Sequence, residues 1–114
     1  PKPIIGMPGG DLLVGESVGL PLGVSLKASY RNRNLDFPPG AFLFLFSDAL
    51  FESRDWEGRP FGYSGVLDLV RRRGQAEASG QDRPLADLLD RYFANMPRPL
   101  ADDLTALWLV RAAE

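Results

Sequence analysis

The sequence contains no cysteine and no histidine among its 114 residues. Without cysteine the chain has no disulfide framework, no thiolate nucleophile and no cysteine-based zinc site. Without histidine it lacks the side chain that most often activates a serine or cysteine nucleophile. Any catalysis by this chain must therefore rely on carboxylates, hydroxyls, arginine or a hard metal ion.

The chain also lacks a large excess of either charge sign and a long apolar run. Lys and Arg number 13, Asp and Glu number 15, and the net charge is -2, so the chain has no basic surface for nucleic acid. No run approaches the roughly 18 apolar residues of a membrane span. We therefore expect a cytoplasmic protein that binds neither nucleic acid nor membrane. The chain begins Pro1-Lys2-Pro3, without Met or a targeting segment, and we expect it to be part of a longer protein.

The residues that are present are typical of one folded domain, since 45% of them are hydrophobic. Short apolar segments between Gly and Pro turns predict strands at residues 4–5, 12–14 and 20–26, the first two forming a hairpin around Gly9-Gly10. A partly exposed strand is predicted at residues 30–37.

Two apolar runs, residues 41–46 and 104–110, show almost no alternation of polar and apolar residues. Strands that are covered on both faces have this pattern, so both are predicted to be central. Two helical patterns lie between them. The first is carried by Tyr63, Val66, Leu67 and Val70 and is predicted to end at Gly74, while the second is carried by Leu85, Leu88, Leu89, Tyr92 and Met96, is capped by Asp82 and ends at Pro97.

This order of elements predicts an α+β fold in which a helical pair crosses between two core strands. The residues between the helices, 74–81, are predicted to be a mobile loop. Because two helices can cover only one face of the sheet, we expect a further layer, a second sheet, on the other face.

Acidic residues flank both apolar runs. Asp48 follows the first run, and Asp102 with Asp103 precedes the second. If the strands are antiparallel neighbours, these carboxylates converge at one edge of the sheet. Oxygen ligands without imidazole or thiolate favour Mg or Mn. The alternative is that these Asp residues only form turns and are solvated.

The other candidate residues favour structural interpretations. Glu52, Asp55 and Glu57 indicate a solvated turn that ends at Gly58. The stretch 19–23 lacks the Lys of a phosphate-binding loop and indicates a turn. The remaining expectations are a cationic helix end at Arg71-Arg72-Arg73, a core position for Trp108 and a surface contact for Trp56.

Five segments in order resemble a known family. They are Gly-Leu-Pro-Leu-Gly (19–23), Phe-Pro-Pro-Gly (37–40) before an apolar strand, Ser-Asp-Ala-Leu-Phe-Glu (47–52), Phe-Gly (61–62) and Asp-Asp-Leu-Thr (102–105). Together they resemble the C-terminal half of metal-dependent protein phosphatases of the protein phosphatase 2C type, and are most similar to the bacterial SpoIIE-like branch.

The resemblance implies half of an α/β/β/α sandwich with a mostly antiparallel sheet and a two-helix crossover. It also implies two Mn or Mg ions held by carboxylates, and hydrolysis of phosphoserine or phosphothreonine by a metal-activated water, with no side chain of this chain as direct catalyst. By the match of motifs, the resemblance implies that Asp48 and Asp102 are metal ligands. It also implies that Asp103 supports these ligands without binding the ions, and that Thr105 supports the start of the strand.

Two departures from the family pattern matter. Ala49 stands where the family usually has Gly, which would strain the backbone if that position needs a positive φ. The first metal-binding Asp of the family, with its adjacent Gly, has no counterpart in this chain. We therefore expect residues 1–114 to be the C-terminal portion of one phosphatase-like domain whose N-terminal half is absent.

The resemblance also implies partners. These are a phosphorylated protein substrate of the anti-anti-sigma type in bacterial signal transduction, an upstream sensor or receiver domain as in response regulators, and the missing N-terminal half or a second copy. Two alternatives remain. Ala49 would suit a phosphatase-like adaptor without catalysis, and the carboxylates could be turn formers alone.

Overall fold

The computed structural model describes residues 1–15, 23–77, 84–100 and 102–112, and for residues 73–77 it describes the backbone alone. Within these residues the chain forms four strands and three helices. In chain order they are β1 (Ile4–Gly6), β2 (Leu12–Val14), β3 (Phe42–Phe46), α1 (Ala49–Glu52), α2 (Gly62–Glu77), α3 (Pro84–Ala94) and β4 (Ala106–Val110).

The strands form one antiparallel sheet in the order β2-β1-β3-β4. β1 and β2 form the predicted hairpin, and its turn contains Gly10 at a φ of 100°, a conformation that favours glycine. All three helices lie in sequence between the adjacent strands β3 and β4. The predicted α+β fold is therefore confirmed, and a short helix, α1, precedes the predicted pair of helices in the connection.

The core lies between one face of the sheet and the helices. Phe42, Phe44 and Phe46 alternate along β3 and belong to this core, with Phe44 completely buried. Trp108 on β4 is partly buried and stacks on Phe42, with ring centroids 4.2 Å apart. A Cβ at Gly6 would lie 2.0 Å from the Phe42 ring, so glycine makes room for this aromatic layer. The other buried members of the core are Ile4, Leu50, Val66, Leu69, Val70, Leu88, Tyr92 and Met96.

The opposite face of the sheet is largely uncovered. Ile5 is buried there, but four leucines that we call the open face, Leu13, Leu45, Leu107 and Leu109, are 38–48% exposed. β3 is central, as predicted, whereas β4 lies at the edge of the sheet. The prediction that both apolar strands are buried on two faces is wrong for this chain, because in its described residues the helices supply a layer on one face only.

Several local predictions are also corrected. α2 continues through Gly74 to Glu77, since a glycine within a helix costs only about 1 kcal/mol. Residues 30–37 and the described part of 20–26 form no strand, and Leu26 is fully exposed. A short apolar segment becomes a strand only when another strand pairs with it. The Asp82 cap and the predicted loop beyond residue 77 lie outside the described residues.

No helix in the described part of the chain is both long enough and apolar enough to cross a membrane.

Candidate functional site

Three strand termini meet at one edge of the sheet. The β3 and β4 pairing ends at Phe46 opposite Ala106, and the Ser47 amide continues it by donating to the Thr105 carbonyl at 2.9 Å. The start of β1 lies at the same edge, where the Pro1 nitrogen is 3.8 Å from Asp48 Oδ1. The antiparallel register thus brings the segment that carries Asp48 beside the segment that carries Asp102 and Asp103.

Asp48 stands between the end of β3 and the start of α1. It is the N-cap residue of α1, but its side chain makes no capping hydrogen bond. The side chain is 55% exposed, and its Oδ1 lies 3.8 Å from the Pro1 nitrogen. Among the described residues the Asp48 carboxylate therefore caps no helix, unlike in the alternative interpretation, in which it forms a turn, and its oxygens are accessible to a cation.

Asp102 and Asp103 are exposed at the approach to β4. Asp102 Oδ1 accepts a hydrogen bond from the Asp103 amide at 2.8 Å. One oxygen of Asp102 therefore has the turn-forming role that the alternative interpretation assigns to it. The Thr105 carbonyl accepts a hydrogen bond from the Ser47 amide, and the Thr105 amide donates to the Ser47 hydroxyl.

The sequence analysis gave no role to Ser47, although this residue contacts both Asp103 and Thr105 in the second acidic segment. Its hydroxyl donates to the Asp103 carbonyl at 3.2 Å and accepts from the Thr105 amide at 2.9 Å. Tyr63 was predicted only as part of the apolar pattern of the first helix, and its hydroxyl also accepts a hydrogen bond from the Lys2 amide. A hydroxyl residue next to an Asp at a strand end was the available signal for Ser47.

Ala49 is the first residue of α1 and is 3% exposed. No non-glycine residue in the described ranges has a positive φ, so the strain expected at Ala49 does not arise. Its carbonyl accepts hydrogen bonds from the Tyr92 hydroxyl at 3.2 Å and from the Ser53 hydroxyl. Burial raises the pKa of Tyr92. The helix that follows Asp48 is thereby held against α3.

Restoring the family glycine at this position tests the assignment of Ala49 to a helix. We expect Ala49→Gly to lower the free energy of unfolding by about 1 kcal/mol, because glycine gains more backbone freedom on unfolding than alanine does. Urea denaturation followed by circular dichroism measures this change. Unchanged or increased stability would show that the position favours glycine after all.

The acidic residues after α1 form the predicted turn. Asp55 Oδ1 accepts hydrogen bonds from the amides of Glu57 at 2.9 Å and Arg59 at 3.0 Å, and Gly58 has a φ of 78°. The hydrogen bond from the Arg59 amide is the largest of the interactions that lower the pKa of Asp55. Trp56 is 74% exposed in this turn. The predicted turn is confirmed for Asp55, Glu57 and Gly58, whereas Glu52 is the last residue of α1. The surface position of Trp56 is confirmed.

This arrangement predicts how the turn responds to pH. Because the folded pKa of Asp55 is lowered, its stabilising contribution is complete above the unfolded value of about 4 and is lost as pH falls through the folded value. Hydrogen exchange at the Glu57 and Arg59 amides should therefore show loss of protection in acid. Asp55→Ala should remove this protection at every pH, whereas Asp55→Asn keeps the acceptor and should retain most of it. Equal protection in all three proteins would contradict this role.

The arginine cluster does not mark a helix end, because α2 continues beyond it. Arg71 instead lies 3.8 Å from Asp68 in an exposed ion pair one helical turn away. Of the predicted turn at 19–23, residues 19–22 lie outside the described ranges, and Gly23 has the positive φ of a turn.

The donor set at the strand edge fits hard divalent ions in kind. Asp48, Asp102 and Asp103 offer carboxylate oxygens, which Mg and Mn prefer. The number of ligands is too small for a complete site, since the described residues contain no group of three or more acidic side chains arranged to hold a metal. A complete site would need at least one ligand besides those that the described residues bring together.

Comparison with known proteins agrees with this geometry. The family model for stage II sporulation protein E (SpoIIE) matches residues 1–112. No curated protein and no solved structure matches the chain. SpoIIE proteins are a phosphatase family and are generally metal-dependent. Because the match spans nearly the whole sequence, the chain belongs to the SpoIIE family and carries a phosphatase-type domain.

Proposed function

We propose that this chain is the C-terminal part of a Mn- or Mg-dependent phosphatase of the protein phosphatase 2C type that acts on phosphoserine or phosphothreonine in proteins. One observation carries the proposal. In a SpoIIE-family chain, the segments of Asp48 and of Asp102-Asp103 meet at one edge of the sheet through the Ser47 and Thr105 backbones.

In this proposal Asp48 and Asp102 hold the divalent ions, while Asp103 and Thr105 keep the Asp102 segment in place. The accessible Asp48 carboxylate and the second carboxylate oxygen of the exposed Asp102 are suited to this role. Bound ions would supply Lewis acidity toward the phosphoryl group and an activated water as nucleophile. A sequence without Cys and His is compatible with hydrolysis in which no cysteine or histidine is phosphorylated.

We further propose that the N-terminal half of the domain covers the open face and extends the sheet beyond β4. β4 is an edge strand, and edge strands present unpaired backbone groups to another strand. Beside it lies a groove of about 730 Å³ between α3 and β4, lined by Pro84, Leu85, Ala86, Leu89, Leu107, Trp108 and Val110. The buried Trp108 Nε1 has no hydrogen-bond acceptor within the described residues. An added strand would bring backbone carbonyls to this edge, and such groups accept hydrogen bonds from indole.

The open face predicts the behaviour of residues 1–114 in isolation. Four exposed leucines on one sheet face, beside an unpaired strand edge, favour association because burying apolar area stabilises by about 25 cal/mol per Å². Sedimentation velocity should show dimers or larger species at micromolar concentration, and the N-terminal half should convert them to a 1:1 complex. A monodisperse monomer that does not bind the N-terminal half would contradict the proposed domain.

The proposed partners follow from the same role. The substrate would be a phosphorylated regulator of the anti-anti-sigma type, and an upstream sensor or receiver domain would control the phosphatase in the cytoplasm. A phosphoprotein substrate agrees with an exposed site at a sheet edge, where a protein surface can reach the Asp48 carboxylate.

The test is hydrolysis by the protein with its complete phosphatase domain. We expect Mn-dependent turnover of p-nitrophenyl phosphate and of a phosphoserine peptide, with loss of both activities in EDTA and recovery when Mn is added in excess. Turnover that is unchanged by EDTA would contradict a metal-dependent enzyme, and absence of turnover at every Mn concentration would contradict an enzyme.

A phosphatase-like adaptor without catalysis is the second candidate. The incomplete donor set of the described residues favours it, whereas Ala49, which first suggested it, does not, because Ala49 lies in a regular helix. Calorimetric titration of the complete domain with Mn distinguishes the two candidates. Micromolar binding supports the phosphatase, and undetectable binding supports the adaptor.

A further inference from the structure

Ser47 holds the two acidic segments together at the strand edge. The regular pairing of β3 with β4 ends at Phe46 and Ala106. Beyond it, the Ser47 amide donates to the Thr105 carbonyl at 2.9 Å, and the Ser47 hydroxyl accepts from the Thr105 amide at 2.9 Å. The same hydroxyl donates to the Asp103 carbonyl at 3.2 Å. Three hydrogen bonds therefore join one residue to the backbone on both sides of Leu104.

A hydroxyl is suited to this position because the same oxygen both donates and accepts. Alanine would break both side-chain bonds and leave a backbone amide and a carbonyl without these partners. Threonine would retain the hydroxyl, and its β-branched side chain is compatible with the end of a strand.

The hydroxyl acts on carboxylates that it does not itself touch. Ser47 precedes Asp48 directly, and its acceptor is the carbonyl of Asp103, whose amide is bound by Asp102 Oδ1. This short chain of contacts links the backbone that presents Asp48 to the carboxylate of Asp102. Without the Ser47 hydroxyl, the described residues would keep the Ser47 amide bond to Thr105 and the β3–β4 pairing, but would lose the bond that reaches Asp103.

From this geometry we propose that Ser47 is a positioning residue of the metal site. It holds the Asp102-Asp103 segment at a fixed place beside Asp48 and so sets the spacing of the two carboxylates. The inference rests on the proposed function, because the spacing matters only if both carboxylates bind the same ions. Substituting groups that orient metal ligands typically costs 10- to 100-fold in metal affinity or activity.

The experiment is Mn titration by calorimetry of the complete domain, with Ser47→Ala, Ser47→Thr and a control, Ser29→Ala, at an exposed loop serine. We expect Ser47→Ala to weaken Mn binding about 10- to 100-fold. Ser47→Thr should restore binding to within about threefold, and Ser29→Ala should leave it unchanged. In steady-state assays the Mn concentration for half-maximal rate should rise for Ser47→Ala, while KM for substrate at saturating Mn stays constant. Loss of general stability would not produce this pattern.

The outcomes separate the inference from the function on which it rests. If the wild-type domain binds Mn and Ser47→Ala binds it equally well, Ser47 is not a positioning residue and the proposed function survives. If Ser47→Thr is folded by circular dichroism and yet binds Mn as weakly as Ser47→Ala, the hydroxyl is not the operative group and the inference is overturned. If the wild-type domain itself does not bind Mn, the proposed function and the inference both fail.

Discussion

Replacing Asp48 by Asn in the complete domain is expected to lower Mn-dependent hydrolysis by about 1,000-fold or more. Asparagine keeps the size of the side chain but loses the negative charge that holds a divalent ion. Metal ions stabilise transition-state charge by several kcal/mol, and each 1.36 kcal/mol corresponds to a tenfold change in rate. Asp102→Asn should act in the same direction, since the proposal gives both carboxylates the same role.

Asp90→Asn is the matched control for this experiment. Asp90 is an exposed residue of α3, so its substitution makes the same change in charge without touching the strand edge. Its rate and its Mn dependence should equal those of the wild type. If hydrolysis survives both Asp48→Asn and Asp102→Asn, the roles proposed for these two residues are wrong, whatever the activity of the family.

A second large effect, on stability, is expected for a substitution in the layer between the sheet and the helices. Phe44→Ala should lower the free energy of unfolding by about 3–5 kcal/mol, because Phe44 is completely buried between the sheet and the helices. Domains of this size are stabilised by only about 5–15 kcal/mol, so the variant should be close to unfolding at room temperature. Urea denaturation of the 114-residue chain measures the change.

Leu45→Ala, at the next position of the same strand, is the informative comparison. Its side chain is 38% exposed on the open face. We expect a loss below about 1 kcal/mol in the isolated chain, measured at concentrations low enough to keep it monomeric, because surface substitutions are usually mild. In the complete domain the same substitution should cost about 2–5 kcal/mol if a second sheet covers this face. Equal small losses in both proteins would contradict the proposed second layer.

Much of the local structure could be predicted from the residues. The Gly9-Gly10 pair between two apolar segments predicted the hairpin, and the spacing from Leu85 to Tyr92 predicted α3. These predictions succeed because the turn type and the helical face depend on residues close together in the chain. The strand predicted at residues 30–37 is wrong because no strand of the described residues pairs with this segment, and a local pattern cannot reveal whether a partner is present.

The candidate site was also predicted only in part from the sequence. The apolar run before Asp48 and the run after Asp102-Asp103 indicated that two acidic segments flank two strands, and an antiparallel pairing then required them to meet. The sequence pattern could not show that the Asp48 side chain makes no capping bond, that Asp102 Oδ1 binds an amide, or that Ala49 is helical. Each depends on backbone geometry at a chain reversal, which several residue types can adopt.

By itself the sequence determined that any chemistry here proceeds without thiolate or imidazole. It also determined the elements whose apolar periodicity is strong. Only the tertiary structure decided which strand is central, which sheet face is uncovered, and that the Ser47 hydroxyl joins the two acidic segments. The physical reason is that composition and periodicity are local properties of the chain, whereas strand neighbours and hydrogen bonds between residues 56–58 positions apart arise only when the sheet assembles.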